Sequence, residues 1–554
     1  MMAKQFSTRA AIIGTGAFWI LIVAAALYAR PLLPVDETRY VTVAWEMYLA
    51  DHWLVPLLNG EPYPHKPPLL FWLIRIGWLV FGVSETWARL VAPLFGLAAL
   101  GLTGWLGRLL WPGEAGRQAG NVAPLLLLCG AWWMLFATMT FFDLMMASCA
   151  LLAWIGMALG LHHGRRWTGI LITGIAIGLG VLTKGPVILV YALPPALFAP
   201  LWASAERRPG WLGWYGGVLL SVAIGAAIGL AWALPAGAAG GPAYEKAILW
   251  GQTAGRVEHS FAHRRPVWWY LPLLVPLLFP ASLWLSSWRA LALWKRPAEP
   301  GLRFGLIVSL IGLVVFSLIS GKQPHYLLPL MPALMLMVAR GLTAEWSVLP
   351  RRRDSLLVVV AFALLAVGVV ALPVVIGQSP YLAAKLDLPN WALGTNMEIA
   401  LTLLLAAGLS FWLAGRQRLD AALASVAVPA LLLFLGVHLL GFPPGRAAFD
   451  LAPAAAVIKQ GQDDGRPIAY AGDYAGEYQF LGRLTRPLQE IGGGSEISAW
   501  IAAHPNGWVV TRYLEEELDS APKPVYAQQK RGRIMVIWDA AAIASNPEFF
   551  AKLR

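Results

Sequence analysis

The sequence predicts an α-helical polytopic membrane protein with about thirteen transmembrane helices and interfacial helices in its first external loop, followed by a small C-terminal α/β domain. Three observations lead there. Of the 554 residues, 58% are apolar and 13% are charged, against the ~25% charged residues of an ordinary soluble chain. The apolar residues come in runs of roughly 18 to 25, each long enough to cross a ~30 Å hydrocarbon core as a helix. Over the last ~110 residues the composition turns soluble again, with Asp, Gly, Glu and Gln returning between short β-type runs. A soluble enzyme is excluded. The 28 Trp supply material for interfacial belts, whereas the two cysteines, Cys129 and Cys149, both sit inside apolar runs and define no disulfide framework.

The first run, Ala10 to Ala29, follows Lys4 and Arg9 and is not succeeded by a small-residue cleavage site, so it reads as a retained helix rather than a signal peptide. Further spans are expected near 87–107, 120–138, 144–161, 167–183, 186–204, 211–235, 268–288, 302–320, 325–341, 355–377, 398–414 and 421–442. Leu69 to Gly82 is apolar but only ~14 residues long and carries Arg75, which predicts an amphipathic helix lying in the interface. With that segment not crossing, the basic connections at Arg108/Arg117, Arg165–Arg166, Arg207–Arg208, Arg289/Lys295/Arg296, Arg351–Arg353 and Arg416/Arg418 all share the side of the N-terminus. The positive-inside rule makes that side the cytoplasm. Roughly 18 of the 42 basic and 6 of the 30 acidic residues then face the cytoplasm, and the remainder, about 24 of each sign, cancel. The net charge of +12 is therefore a topology signal. It is spread over short loops with no basic face interleaved with aromatics, so nucleic acid is not an expected partner.

The division expected is a transmembrane domain over 1–442, with external loops at 30–68 and 236–267, and a soluble domain over 443–554. In the latter, 467–472, 507–514 and 533–540 read as strands with helix-like stretches between them. An odd number of spans puts this domain in the periplasm. It shows no catalytic constellation and is expected to act as a lid or docking domain.

On this topology the polar residues that do not read as loop filler collect on one face. Asp36, Glu37 and Arg39 follow the first span, and the acidic pair alone could simply favour the N-terminus of the next helix. Lys66 lies in a proline-stiffened segment at the membrane surface, suited to a lipid phosphate but also to snorkelling. Asp143 is a carboxylate with apolar neighbours at a membrane edge, where an ionisable group is costly unless it has a function. Lys184 and Lys322, the latter followed by Tyr326, each stand at the outer end of a span, and the third loop holds Arg256, Glu258, His259, His263 and Arg264. Cations suit phosphate, and carboxylates suit a hydroxyl, an amine or a metal, so the chemistry implied is transfer involving a phosphorylated, lipid-linked substrate. A transporter would show broken helices at the midplane and inverted repeats; the interruption at Thr183–Pro186 keeps that alternative open.

Over residues 30 to 340 the chain resembles membrane glycosyltransferases of the GT-C class that use polyprenyl-phosphate sugars, most of all the aminoarabinose transferases that modify lipid A, with protein O-mannosyltransferases as wider relatives. The likeness rests on PDETRY (ending at Tyr40), ADHWLVP (50–56), the Lys66-Pro67 step, LTKGP (182–186), HRRPVWWYLP (263–272) and GKQPHY (321–326). The resemblance implies that Asp36 is the acidic residue at the reaction centre and Asp143 a second one. It implies that Arg39, Lys66 and Arg256 hold the carrier phosphate; Glu37, Lys184, Lys322, Tyr326 and Arg264, read from their place on the same external face, complete the expected substrate-binding set. The family chemistry inverts the anomeric centre with polyprenyl phosphate as leaving group, and the expected reaction moves 4-amino-4-deoxy-L-arabinose to lipid A. Transfer to another glycan or to a protein hydroxyl is the alternative. Two departures bear on a cofactor. The aminoarabinose transferases commonly have Glu before the Lys-Pro step and a Glu-His pair in the third loop, residues that can bind a metal; here His65 and Gln252-Thr253 stand there. A divalent metal remains a candidate cofactor, with His65, Glu258, His259 and His263 as a substitute N/O ligand set.

Overall fold

Long apolar runs satisfy their own backbone groups only as helices, and helices dominate the computed structural model. It describes residues 6–203, 209–251, 264–292, 299–344, 350–379, 396–416, 418–513, 515–518, 521–530 and 532–551. Among these, ten helices are long and apolar enough to cross a membrane: Thr8–Ala29, Glu85–Leu110, Asp143–His163, Arg166–Leu197, Trp211–Gly240, Pro300–Leu318, Pro324–Thr343, Arg352–Gln378, Met397–Ala414 and Leu419–Gly441. Three of the thirteen expected runs do not form a separate helix of that length. The run 120–138 divides into Gly113–Leu128 and Ala131–Phe136, 186–204 into Ile188–Leu197 and Ala199–Trp202, and 268–288 into Tyr270–Leu277 and Leu285–Leu291. Hydropathy does not register where a helix stops. Proline and glycine do: Gly130 parts the first pair, Pro200 follows the second break, and Pro276 and Pro280 attend the third.

The Asp143–His163 helix is enclosed on nearly all sides, which is why its sequence shows no polar stripe. Beside it, Arg166–Lys184 and Trp211–Gly240 run parallel. A Cβ on Gly174 or Gly178 would come within 3 Å of Ile224 or Ile228 side-chain atoms, so this glycine pair serves close packing inside the chain. At Gly185, φ is +77°; the chain leaves the helix there and turns back as Ile188–Leu197, where the Trp154 indole donates to the Tyr191 carbonyl at 3.0 Å.

The first loop forms a helix, Asp36–Leu49, then a two-stranded hairpin of β1 (Leu57–Leu58) and β2 (Glu61–Pro62), then the helix Leu69–Phe81. Asn59 and Gly60 take φ of +55° and +83°, the left-handed pair that a tight hairpin turn requires. The expected interfacial helix is present, with Ile76, Leu79, Val80 and Phe81 exposed on one face. Arg75 does not snorkel. It is buried beneath the loop after Leu49, donating to the His52 carbonyl at 2.6 Å and to Asp51 Oδ1 at 3.0 Å, with its guanidinium 3.9 Å from the Trp53 ring centroid.

The C-terminal part is an α/β unit. Strands β3 (Ile468–Ala471), β4 (Gln489–Ile491), β5 (Trp508–Tyr513), β6 (Tyr526–Lys530) and β7 (Arg533–Asp539) form a sheet of order β4-β3-β5-β7-β6. The β3 pairs are parallel and the β7 pairs antiparallel. Helix Ala452–Asp463 covers one face and Ser495–Ala503 the other. The three strands expected from the sequence are β3, β5 and β7; β4 and β6, short and polar, lie at the two edges where alternation is weak.

This unit docks on the first loop. Thr42 Oγ1 donates to the Gly476 carbonyl at 2.7 Å and the Trp45 indole to the Leu484 carbonyl at 2.9 Å, while Phe480 stacks on Trp78 at a centroid distance of 5.2 Å. Asn59 at the hairpin tip makes four bonds into it: Oδ1 accepts from the Leu488 amide at 2.9 Å and from Gln479 at 3.0 Å, and Nδ2 donates to the Leu488 carbonyl at 2.9 Å and to Glu490 at 3.1 Å.

Candidate functional site

The site is assembled from the ends of helices. Asp143 is the first residue of Asp143–His163 and Lys184 the last of Arg166–Lys184; Nζ of Lys184 donates to Oδ1 of Asp143 at 2.7 Å. Each charge sits at the helix terminus whose dipole favours it. Lys184 also lies 4.8 Å from the Tyr326 ring centroid. Tyr326 is held from behind by the Tyr191 hydroxyl, which donates to its carbonyl at 2.9 Å, and the Tyr270 hydroxyl donates to the Gln323 carbonyl at 2.9 Å. Lys66 approaches from the first loop, 5.6 Å from the Phe142 ring centroid, and together with His325 lies within electrostatic reach of Asp143.

Asp36 opens the helix Asp36–Leu49, pairing loosely with Arg39 at 3.6 Å, and its side chain is 50% exposed against 3% for Asp143. Of the two carboxylates, Asp36 is the accessible one. Tyr40, one turn on, packs edge-on against Phe142 and Phe141. Burial lifts its phenol well above the ordinary tyrosine value, and the negative charges of Asp36 and Asp143 add to that, so it stays neutral. Beside this group lies an apolar cavity of about 330 Å³ whose walls include His65, Lys66, Lys184 and Trp232 at one end and Ile177 and Val222 at the other.

Glu37 is placed differently from the expectation that it binds substrate. It is buried, ion-paired with Arg30, and accepts from the Leu33 amide at 3.0 Å and the Thr140 amide at 2.7 Å. Burial alone would raise its carboxyl; the charge and hydrogen bond of Arg30, the Thr140 amide and the charge of Arg89 outweigh this and hold it below the ordinary glutamate value. Glu37 thus ties the loop bearing Asp36 to the loop that leads into Asp143. Lys322 is also turned away from the cavity, its Nζ donating to the carbonyls of Arg265 at 3.0 Å and Ile319 at 2.6 Å. Arg264 is exposed and bridges Gly321 through the backbone. Arg256, Glu258, His259 and His263 lie outside the described residues. Of the four candidate metal ligands, His65 is described; its ring stands edge-on to Tyr63. Among the described residues no three His, Cys, Asp or Glu side chains converge as metal ligands.

Sequence reasoning passed over Arg30, Tyr40 and His325 as site-forming residues. Arg30 ends an apolar run and reads as a boundary cation, and Tyr40 reads as a helix-face aromatic. The sole cue was their position inside or beside the acidic and GKQPHY motifs.

The family described as dolichyl-phosphate-mannose-protein mannosyltransferase matches residues 65–232. An undecaprenyl phosphate-alpha-4-amino-4-deoxy-L-arabinose arabinosyl transferase from Pseudomonas savastanoi pv. phaseolicola is 30% identical over 403 residues, covering 68% of this chain and 72% of the relative. A second from Pseudomonas fluorescens Pf-5 is 33% identical over 350 residues, covering 59% of this chain and 54% of the relative. A third, from Pseudomonas fluorescens Pf0-1, is 31% identical over 306 residues, covering 54% of this chain and 52% of the relative. The alignments to these last two span about half the relatives' length. In fold, the chain is similar to ArnT from Cupriavidus metallidurans, crystallised bound to undecaprenyl phosphate, with a TM-score of 0.73, 21% identity, and coverage of 96% of this chain and 98% of that one. With relatives of this identity and coverage, and with the GT-C layout of its helices, this chain belongs to the undecaprenyl phosphate-aminoarabinose arabinosyl transferase family.

Proposed function

We propose that this protein transfers 4-amino-4-deoxy-L-arabinose from a polyprenyl-phosphate carrier to lipid A at the periplasmic face of a bacterial inner membrane, inverting the anomeric centre. The observation that carries the reading is the Asp143–Lys184 pair, flanked by Lys66 and Tyr326, at the polar end of an apolar cavity. That arrangement fits a molecule with a charged phosphate and a long apolar tail.

In the reaction the bond between the anomeric carbon and the carrier phosphate breaks, the phosphate departs with its bonding electrons, and the acceptor oxygen attacks the opposite face. Lys66 and Lys184 are preorganised to stabilise the charge growing on the leaving phosphate. Asp143, buried and bonded to Lys184, acts through that lysine as a positioning residue. Asp36 is accessible to substrate. A lipid A phosphate is already anionic, so Asp36 has no proton to remove and instead orients the donor sugar through its amine; toward a hydroxyl acceptor it would serve as general base. The topology proposed places the N-terminus in the cytoplasm and the C-terminal domain in the periplasm, the side on which that domain docks against the first loop.

The test is mass spectrometry of lipid A and carrier lipids from cells with the wild type, Asp36→Asn or no copy of the gene. An added aminopentose that depends on the wild type supports the reading. Unchanged lipid A with carrier-linked sugar accumulating in the mutant redirects it to the second reading, another glycan or a protein hydroxyl as acceptor. His65 and Gln252-Thr253 in place of the family's Glu and Glu-His pair favour that alternative, as does the protein mannosyltransferase description of the family matching 65–232. Absence of any covalent product would leave a transporter.

A further inference from the structure

Below the site, the apolar cavity does not end where its own walls do. A second cavity of about 310 Å³ lies toward the opposite membrane surface, and Ile177 and Val222 line both. Three helices supply walls to both, and Asp143–His163 adds Gly156, Met157 and Gly160 to the distal one. Arg166–Lys184 contributes Lys184 and Val181 near the site, Ile177 at the neck, and Thr173, Ile170 and Arg166 beyond it. Trp211–Gly240 contributes Leu230, Val222 and Trp214 in matching order, and Ile188–Leu197, running the other way, contributes Leu189 and then Ala196. With Ala226 and Val218 between the positions named on the second helix and Leu193 between those on the third, the lining residues recur at three- or four-residue spacing, so each helix shows one continuous face to one continuous trough. Its far end is marked by Arg166, whose guanidinium donates to the Gly213 carbonyl at 3.0 Å.

Lys184 and Arg166 close opposite ends of one helix and are separated by about 27 Å at 1.5 Å rise per residue. That length nearly equals the ~30 Å hydrocarbon core. An acyl chain of a membrane phospholipid reaches through one leaflet, about half of it. A trough crossing both leaflets from a phosphate-binding end calls for a single apolar chain long enough to follow it.

We propose that the distal cavity, beyond the Ile177–Val222 neck, receives the far isoprenoid units of the carrier lipid, so that the trough reads carrier length. This rests on the polyprenyl-phosphate reading above. Two substitutions isolate it. Val218→Trp obstructs the distal cavity one turn beyond the neck. Gly160→Leu fills the distal cavity from a position where a Cβ meets only the Trp214 ring edge, at 3.5 Å. Neither residue touches the phosphate-binding side chains.

The experiment measures dissociation constants of undecaprenyl phosphate and of a polyprenyl phosphate of about four isoprene units, enough for one leaflet, on the purified full-length protein in lipid nanodiscs. The wild type is expected to bind the long carrier at least about tenfold more tightly, the change that burial of two further methylene groups already supplies. Both variants should abolish that preference and leave the short-chain affinity unchanged. Equal wild-type affinity for the two lengths overturns the proposal while leaving the carrier reading intact. So does a variant that weakens both carriers alike. Phospholipid that co-purifies with the wild type and is lost in Gly160→Leu, with no length preference, would assign the cavity to an acyl chain instead. Binding of neither carrier overturns this inference and the carrier reading together.

Discussion

Nζ of Lys184 lies 2.7 Å from Oδ1 of Asp143, two residues 41 positions apart that close facing ends of neighbouring helices. The carboxylate stands at a helix N-terminus and the ammonium at a helix C-terminus, so both backbone dipoles favour the pair and hold it fixed beside the cavity. A preformed charge of this kind needs little reorganisation when a phosphate arrives.

Removing Asp143 should therefore act through Lys184. Asp143→Asn and Lys184→Ala are each expected to lower the transfer rate by roughly 30- to 160-fold, the worth of one charge-assisted contact of about 2–3 kcal/mol. The double variant should be no slower than the worse single one, because the two side chains work as a unit. Transfer rates of the four proteins check this; additive losses would show independent roles.

Asp36→Asn is isosteric and half-exposed, so it should fold normally and bind undecaprenyl phosphate as the wild type does. If Asp36 is a base, its turnover is expected to fall by about 10²–10⁴-fold. Turnover against a carrier-binding titration on the same preparation separates the two effects.

Arg30–Glu37 is a buried pair, and removing one partner by Glu37→Ala is expected to cost about 3–5 kcal/mol. The pH dependence follows from the lowered carboxyl. The stabilisation is fully present above the ordinary glutamate value of 4.5 and is lost as pH falls below it through the folded-state value. Thermal melts of solubilised protein between pH 7 and pH 3 should show this decline, and Glu37→Gln should flatten its share of it.

Asn59 joins the first-loop hairpin to the C-terminal domain through four hydrogen bonds. Asn59→Ala should loosen that docking by about 1–3 kcal/mol, since it leaves partly buried partners unsatisfied. Hydrogen exchange is expected to rise around Gln479–Leu488 and the hairpin, with little change in the transmembrane helices.

A reporter fused after Arg554 should be active only in the periplasm if the charge asymmetry of the loops has been read correctly. A cytoplasmic result would change the proposed side of the reaction, although not the shared face of the first loop and the C-terminal domain.

Much of the architecture was legible because lipid imposes simple rules. The spans follow from apolar run length, and the interfacial helix Leu69–Phe81 from a run too short to cross. β3, β5 and β7 were visible from their apolar runs. Less visible were the breaks within 120–138, 186–204 and 268–288, because hydropathy sums over proline and glycine instead of stopping at them. β4 and β6 escaped as polar edge strands.

Of the site, the sequence by itself marked the candidates: Asp36, Lys66, Asp143, Lys184 and Tyr326 are ionisable or polar groups expected at membrane edges, where such groups are costly without a use. Only the tertiary structure decided which of them meet. It joined Asp143 to Lys184, turned Glu37 onto Arg30 and Lys322 onto backbone carbonyls, buried Arg75 under the first loop, and aligned two cavities into one trough. The reason is physical. Composition and periodicity depend on neighbours along the chain, whereas the partner of a buried charge is set by which helix ends converge, and that is fixed by packing between segments far apart in sequence.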